Sequence, residues 1–365
     1  MKILLLNWKD QHHPLAGGAE DYTFNILKRL AQRGHEITWF TSAYDGGLPE
    51  SDEAGIHYVR RGSYQTVHYK ARSYLRSITP ESKPDVVIDE VNTRPFSPAK
   101  YLRVKVRIFN LIHQLAREVW FNEVPLPLAI VGRYVLEDRW LRGIARFPTI
   151  TVSESTRSDL ISLGFADVRI VHNALSKAPP ELNNTKDKPP LLIFCGRLTK
   201  GKRPDDALRA FRIVRSSTPC SMTVIGSGPL LSKLKERYPE VTFLGHVTDS
   251  VKADALRRAM VMLTPGTREG WGRVVLEGQA SGVVPVVYNV NGLRDAVDFG
   301  NAGVLLSSNT PEAMGAAVIE LLRDNEVTMK LSRAGRTWSA QFTYDKSADD
   351  FEKILSQHGK GVEGD

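Results

Sequence analysis

Cysteine is almost missing: Cys195 and Cys220 are the only two in 365 residues. That excludes a disulfide framework and a cysteine-based zinc site, and it fits a reducing cytoplasm. Long hydrophobic runs are missing too. The apolar stretch from Val124 to Gly132 falls well short of the about 20 residues needed to cross a bilayer. Met1 to Trp8 is aliphatic and then turns polar at Asn7, Lys9 and Asp10, so it reads as a strand rather than a secretory h-region. Acidic residues are absent from Ala54 to Pro80, where Arg60, Arg61, Lys70, Arg72 and Arg76 interleave with Tyr58, Tyr64, Tyr69 and Tyr74. Such a segment attracts anions. It could lie on an anionic membrane face, grip a nucleic-acid backbone, or be a solvated helix face.

What is present describes an ordinary globular chain. Hydrophobic residues make up 42%, charged residues 25%, and the net charge is +8, which excludes a disordered or membrane-spanning class. The length predicts about two domains. Short apolar runs alternate with helical spacing: Lys2 to Asn7, then Tyr22, Ile26, Leu27 and Leu30, then Glu36 to Thr41. Further strands are predicted at 85–88, 106–112, 149–153 and 168–172, and a second series at 191–195, 222–225, 241–244, 260–264 and 284–288. The fold class is therefore α/β, with two Rossmann-like, doubly wound parallel sheets. The first domain takes residues 1–177, the proline-rich polar stretch 178–189 is a linker, and the second domain takes 190–340. A final helical stretch, within 341–365, is long enough to return and complete the first. Ligands of open α/β sheets bind at carboxyl strand ends, so a cleft between two such sheets is where function is sought.

The densest signal runs from Thr264 to Gly282: a strand end, a glycine-rich turn and a helix start. Glu269 precedes the helix and Glu277 sits in its second turn, so two carboxylates can address different parts of one elongated ligand. Gly270 and Gly272 allow close backbone approach, and the leading amides of the helix suit an anion. A carboxylate can accept both hydroxyls of a ribose diol. In the bland alternative, Arg273 and Glu277 form a surface pair four residues apart, and Glu269 merely favours the helix dipole. The second cluster, Gly196-Arg197-Leu-Thr-Lys200-Gly201-Lys202-Arg203, is a basic loop at another strand end. There a guanidinium and an ammonium can clamp a diphosphate.

Together with the Gly17-Gly18-Ala19-Glu20 and Gly226-Ser-Gly228-Pro229 turns, these patterns resemble the retaining glycosyltransferases of family 4, which have the GT-B fold. The resemblance implies a nucleotide diphosphate sugar donor, UDP- or GDP-linked, and a glycan or lipid-linked acceptor. It implies that Arg197 and Lys202 hold the diphosphate as its charge grows, and that Glu277 binds the ribose. Glu269, with backbone groups of Gly270, Trp271 and Gly272, would orient the transferred sugar, and the amides of Arg273 and Val274 would face the phosphates. Val247 falls where the base is contacted, Gly17 and Gly18 match the turn near phosphate and acceptor, and His113 would touch the sugar. Where the family pattern continues after Asn173 with glycine, an aliphatic residue and aspartate, this chain has Ala174-Leu175-Ser176.

The family works without a metal. Asp89-Glu90 is no aspartate-x-aspartate motif, and no histidine and carboxylate cluster has ligand spacing, so no cofactor is expected. A nucleotide-sugar epimerase or a non-catalytic sugar-nucleotide-binding protein would share the same contacts. A nicotinamide dehydrogenase is disfavoured, because no Gly-x-Gly-x-x-Gly follows the first strand and the second ends in Thr41-Ser42. Nothing resembles a DNA or RNA module, so no nucleic acid partner is expected. The basic segment, with Trp120-Phe121 and the apolar 124–130 stretch, suggests a cytoplasmic protein peripheral on the inner membrane face. Core packing of the apolar part is the alternative.

Overall fold

A computed structural model describes residues 1–123, 125–176 and 186–357, and it divides into two compact units. The first holds residues 1–120, 125–176 and the chain from Tyr344; the second holds 121–124 and 177–343. Most of the 178–189 stretch, Val124 and everything after Gln357 lie outside the described residues.

The first unit is built on β1 (Lys2–Leu6), β2 (Glu36–Thr41), β3 (Glu50–Glu53), β4 (Ile56–Arg60), β5 (Val86–Glu90), β6 (Arg107–Ile112), β7 (Thr149–Thr151) and β8 (Val168–Ile170). Their order in the sheet is β3-β4-β2-β1-β5-β6-β7-β8. All neighbours are parallel except β3, which pairs antiparallel with β4 at the edge. That hairpin departs from an all-parallel sheet. Its outer strand, Glu50 to Glu53, is polar and mostly exposed, so it carried no apolar pattern to read.

In the second unit, β9 (Leu191–Cys195), β10 (Ser221–Ile225), β11 (Thr242–Gly245), β12 (Val261–Thr264), β13 (Val284–Val287) and β14 (Val304–Leu305) form a sheet ordered β11-β10-β9-β12-β13-β14. Each neighbouring pair in this sheet is parallel. The central strand β9 is buried at every residue. Leu192 and Phe194 join the core on one face, while Leu191, Ile193 and Cys195 join that on the other. This is why the run is apolar throughout and does not alternate. Burial also pushes the Cys195 thiol up to about 12, too high for a reactive thiolate at neutral pH.

The helix Tyr344–Gln357 belongs to the first unit, against the helix Gly18–Gln32. Phe351 and Leu355 are buried on it. Arg29 meets Asp345 at 2.6 Å, and Arg33 meets Asp349 at 2.6 Å and Glu352 at 2.7 Å. The Tyr344 hydroxyl donates to Asn173 Oδ1 at 3.1 Å. Asn173, which follows the last strand of this sheet, thus anchors the returning helix.

The basic stretch after Ala54 does not present one charged face. Arg60 ends β4 and is buried, its Nε 2.6 Å from Asp10 Oδ2, with Tyr58 and Tyr44 rings beside its guanidinium. Tyr58 is fully buried, and Arg61 pairs with Glu50. On the helix Val67–Ser77, Lys70 and Arg76 are exposed and Arg72 is half-buried. The apolar stretch also departs from core packing. On the helix Leu126–Val131 only Ala129 is buried, while Leu126 and Leu128 are more than 60% exposed. Among the described residues no helix is long and apolar enough to cross a membrane.

Removing one member of a buried ion pair strands the other charge, which costs about 3–5 kcal/mol. Arg60→Ala is therefore expected to lower the urea midpoint by that equivalent at unchanged slope. An unshifted midpoint would show that Asp10 is solvated in the fold.

Candidate functional site

In the second unit the site is assembled from loops that leave carboxyl strand ends. The loops after β9 and β10 are laced by backbone bonds: the Gly196 amide donates to Ile225 O at 2.9 Å, and the Leu198 amide donates to Ser227 O at 2.8 Å. Glycine is required for this approach. A Cβ on Gly226, at φ +137°, would stand 1.9 Å from Gly196 O, and one on Gly228 would stand 2.7 Å from Leu198 O. The loop after β12 joins the same assembly, because the Thr267 amide donates to Gly201 O at 2.8 Å.

That bond brings together two of the residues singled out by sequence. Lys202 Nζ donates directly to Glu269 Oε1, and both groups are largely shielded from solvent. Glu269 is positioned in turn by its backbone. Its amide donates to Asn291 O at 3.1 Å, and Gly292 packs so tightly that a Cβ there would lie 2.2 Å from Glu269 O. Arg197 lies exposed in the same loop as Lys202, with no acidic partner among the described residues.

Glu277 projects from the helix Arg273–Ala280, whose N-cap Gly272 adopts φ +80°. The amides of Arg273 and Val274 lead this helix at the positive end of its dipole. Glu277 Oε1 lies 3.6 Å from Arg273 Nε, and Oε2 lies 3.0 Å from Lys252 Nζ. The four-apart pair thus exists, but the shorter contact is to Lys252, on the helix Asp249–Arg258. Sequence reasoning missed this lysine, because nothing in the spacing between 252 and 277 signals the contact. Val247 and Val274 pack on one apolar cluster that includes Ile193, Cys195 and Ile225. The Trp271 side chain is buried, edge-on to Phe342 with centroids 5.0 Å apart; this fixes the turn on which Gly270 and Gly272 sit.

In the first unit, Gly17 caps the helix Gly18–Gln32, and its amide donates to Glu20 Oε2 at 2.7 Å. Glu20 is buried, and its other oxygen lies 3.1 Å from Lys9 Nζ. The same helix reaches His113: the Tyr22 ring stands edge-on to the imidazole at 5.2 Å. His113 Nε2 bonds Glu90 Oε1 at 3.0 Å, and the Thr23 hydroxyl donates to the same oxygen, also at 3.0 Å. Glu90 ends β5 and is wholly buried, and its second oxygen has no hydrogen-bond partner among the described residues. It orients His113, a role that no spacing between residues 90 and 113 signals in the sequence. Burial raises the Glu90 carboxyl above its ordinary range, and the His113 hydrogen bond only partly opposes this.

Asp89 beside it accepts the amides of Phe96 at 3.0 Å and Ser97 at 2.8 Å. Even so, burial pushes its carboxyl up to about 7. Among the described residues no group of three or more His, Cys, Asp or Glu side chains could hold a metal ion. The arrangement offers two lysine-paired carboxylates, an unpaired guanidinium and a helix start in one unit. In the other it offers an imidazole fixed by a buried acid.

A carboxyl whose folded pKa lies above its unfolded value keeps its proton longer in the fold. The Asp89 contribution to stability is therefore present near pH 4 and lost as pH rises through about 7. Urea midpoints measured from pH 4 to 8 are expected to fall less steeply for Asp89→Asn than for the parent. Parallel slopes would place the Asp89 pKa at its ordinary value.

Two family models match the chain: Glycosyltransferase Family 4 over residues 16–177, and Glycosyl transferases group 1 over residues 179–338. Among curated proteins, the chain is 30% identical over 199 residues to a glycogen synthase of Mycobacterium tuberculosis. That match takes in 51% of this chain and 48% of the synthase, so the chain spans about half the length of that relative. It is also 24% identical to a GDP-mannose-dependent alpha-(1-6)-phosphatidylinositol monomannoside mannosyltransferase of the same species, over 92% of this chain and 93% of that one. The structure of HepE from Anabaena in complex with UDP and glucose superposes with a TM-score of 0.70 at 16% identity, covering 98% of this chain and 100% of that one. This likeness shows the fold, two parallel-sheet α/β units of the GT-B kind.

Proposed function

Since the chain belongs to the family 4 glycosyltransferases of GT-B fold, we propose that it moves a hexosyl group from a UDP- or GDP-sugar to a hydroxyl of a glycan or lipid-linked acceptor. The reading is carried by one observation. Lys202 and Glu269, from two loops bonded to each other, form an ion pair, and the basic loop that supplies Lys202 also carries the exposed Arg197. In the proposed reaction the acceptor oxygen forms its bond to the anomeric carbon as the bond to the diphosphate breaks, and the acceptor proton passes to a departing phosphate oxygen. Lys202 turns from Glu269 to the diphosphate, and with Arg197 it offsets the charge that grows there. Glu269, released, accepts hydroxyls of the transferred sugar. Glu277, with Lys252 and Arg273 behind it, accepts the ribose diol. His113, fixed by Glu90, is the residue that the family resemblance assigns to the transferred sugar. Attack by the acceptor oxygen on the face from which the diphosphate leaves retains anomeric configuration and needs no carboxylate pair of the kind glycosidases use. Protein cations take the place of a metal ion. The names of the mannosyltransferase relative and of the UDP-bound neighbour support both donor bases.

A thermal-shift panel of UDP, GDP, ADP and their sugars is expected to single out one base, since a ligand at 100 times its Kd adds about 2.7 kcal/mol. With that donor, Arg197→Ala and Lys202→Ala are expected to lower kcat about 10²- to 10³-fold. Chelators are expected to leave the rate unchanged. Epimerisation of the donor without any transfer would overturn the assignment.

We further propose that the acceptor is met at an anionic membrane surface on the cytoplasmic side. Support comes from the exposed Leu126, Leu128, Ile130, Val131, Tyr134 and Val135, which crowd one short stretch that also holds Arg133. Vesicles rich in phosphatidylglycerol are expected to sediment the protein at low salt, and Leu126→Ser/Leu128→Ser is expected to weaken that at least threefold. Equal sedimentation of both proteins would reject the surface.

A further inference from the structure

The first unit contains a second strongly basic place that none of the donor residues touch. A cavity of about 200 Å³ is lined by Arg72, Arg94, Lys100 and Arg139, with Tyr101 and Trp140 among its walls. The cations come from separate segments: Arg72 from the helix Val67–Ser77, Arg94 and Lys100 from the stretch after β5, and Arg139 from the helix Glu137–Arg142. None of the four lies within salt-bridge distance of a carboxylate among the described residues. This sets them apart from other arginines of the unit, since Arg33 and Arg60 pair with Asp349, Glu352 and Asp10, and Arg117 pairs with Asp138.

Their orientation is also prepared for an anion. The Arg72 guanidinium lies 5.3 Å from the Tyr101 centroid, and that of Arg94 lies 6.0 Å from the Trp140 centroid. A guanidinium held near a ring, with no carboxylate partner, keeps N–H groups open to the oxygens of an anion. His68 extends the wall, stacked on Phe96 at 4.3 Å and bonded to Arg94 O at 3.1 Å. Low-dielectric walls around clustered charge of one sign concentrate the field in the space between them. At ~30 Å³ per water, the cavity holds about seven waters' worth of space, enough for a tetrahedral oxyanion and part of whatever carries it.

We infer that this cavity binds a phosphate group, with the four cations as its ligands and Tyr101 and Trp140 flanking the moiety that carries it. Multiply charged oxyanions suit it better than a carboxylate, because a single negative charge would leave most of the surrounding positive charge uncompensated. The phosphate could be a lipid headgroup or part of a soluble ligand, and the same chemistry serves both.

The probe is inorganic pyrophosphate, titrated calorimetrically. The proposed donor loop also attracts diphosphate, so the comparison is made in a Lys202→Ala background. There, Arg72→Ala/Arg139→Ala is expected to weaken pyrophosphate binding at least tenfold, with circular dichroism unchanged. The control Arg209→Ala/Arg215→Ala, on the other unit, is expected to leave it unchanged. Equal affinity with and without Arg72 and Arg139 would overturn the inference. So would equal weakening by the control pair, since attraction would then follow net charge alone. Once binding has been lost as expected, phosphatidylglycerol vesicles identify the source. If Arg72→Ala/Arg139→Ala abolishes sedimentation, the phosphate is a headgroup; if sedimentation persists, it belongs to a soluble ligand.

Discussion

The contact between Lys202 and Glu269 depends on backbone packing that only glycine permits. Gly226 and Gly228 let the β10 loop close on the β9 loop, and Gly292 lets the 291–292 turn close on Glu269. Thr267 then ties the β12 loop to Gly201, one residue before the lysine. The result is a carboxylate and an ammonium held together at partial burial, where their attraction is stronger than in bulk water. A lysine suits an exchangeable partnership better than an arginine would. Its point charge on a flexible stem can leave one oxygen for another without breaking a planar two-bond fork.

The first unit places acid at strand ends by a different route. Asp89 and Glu90 are held by hydrogen bonds from amides, a hydroxyl and an imidazole, with no lysine or arginine paired to them among the described residues. Burial therefore dominates, and both carboxyls rise above their ordinary range. In the second unit Glu269 and Glu277 each have a lysine within salt-bridge distance. One unit thus uses acids to fix the shape of the loop and the histidine that follow them. The other sets its acids beside lysines at a glycine-rich strand-to-helix turn.

Much of this was legible in sequence because the relevant signals are local. A buried parallel strand must be apolar throughout, so Leu191 to Cys195 announced itself, as did the helix Tyr344–Gln357 through its spacing. The Glu269 to Glu277 segment was legible because glycines and acids crowd a strand-to-helix turn. Contacts between distant segments left no such mark. Nothing local to Lys252 points to Glu277, and nothing local to Glu90 points to His113, because each pairing is made by the register of a sheet or the packing of a helix. The edge strand Glu50–Glu53 escaped for the opposite reason: with one polar, exposed face it needs no apolar alternation.

The same distinction explains why a count of basic residues misjudged the stretch after Ala54. Charge along a chain and charge on a surface differ whenever side chains alternate between inside and outside. Arg60 closes a strand, so its side chain turns inward to Asp10 and is neutralised there. Arg72, on a helix, is carried instead toward Arg94, Lys100 and Arg139, which are 22 to 67 residues away in sequence yet line one cavity. The positive potential of this unit is therefore a property of tertiary packing. It gathers where three segments meet around a cavity with no acid in its lining, and not where the sequence is most basic.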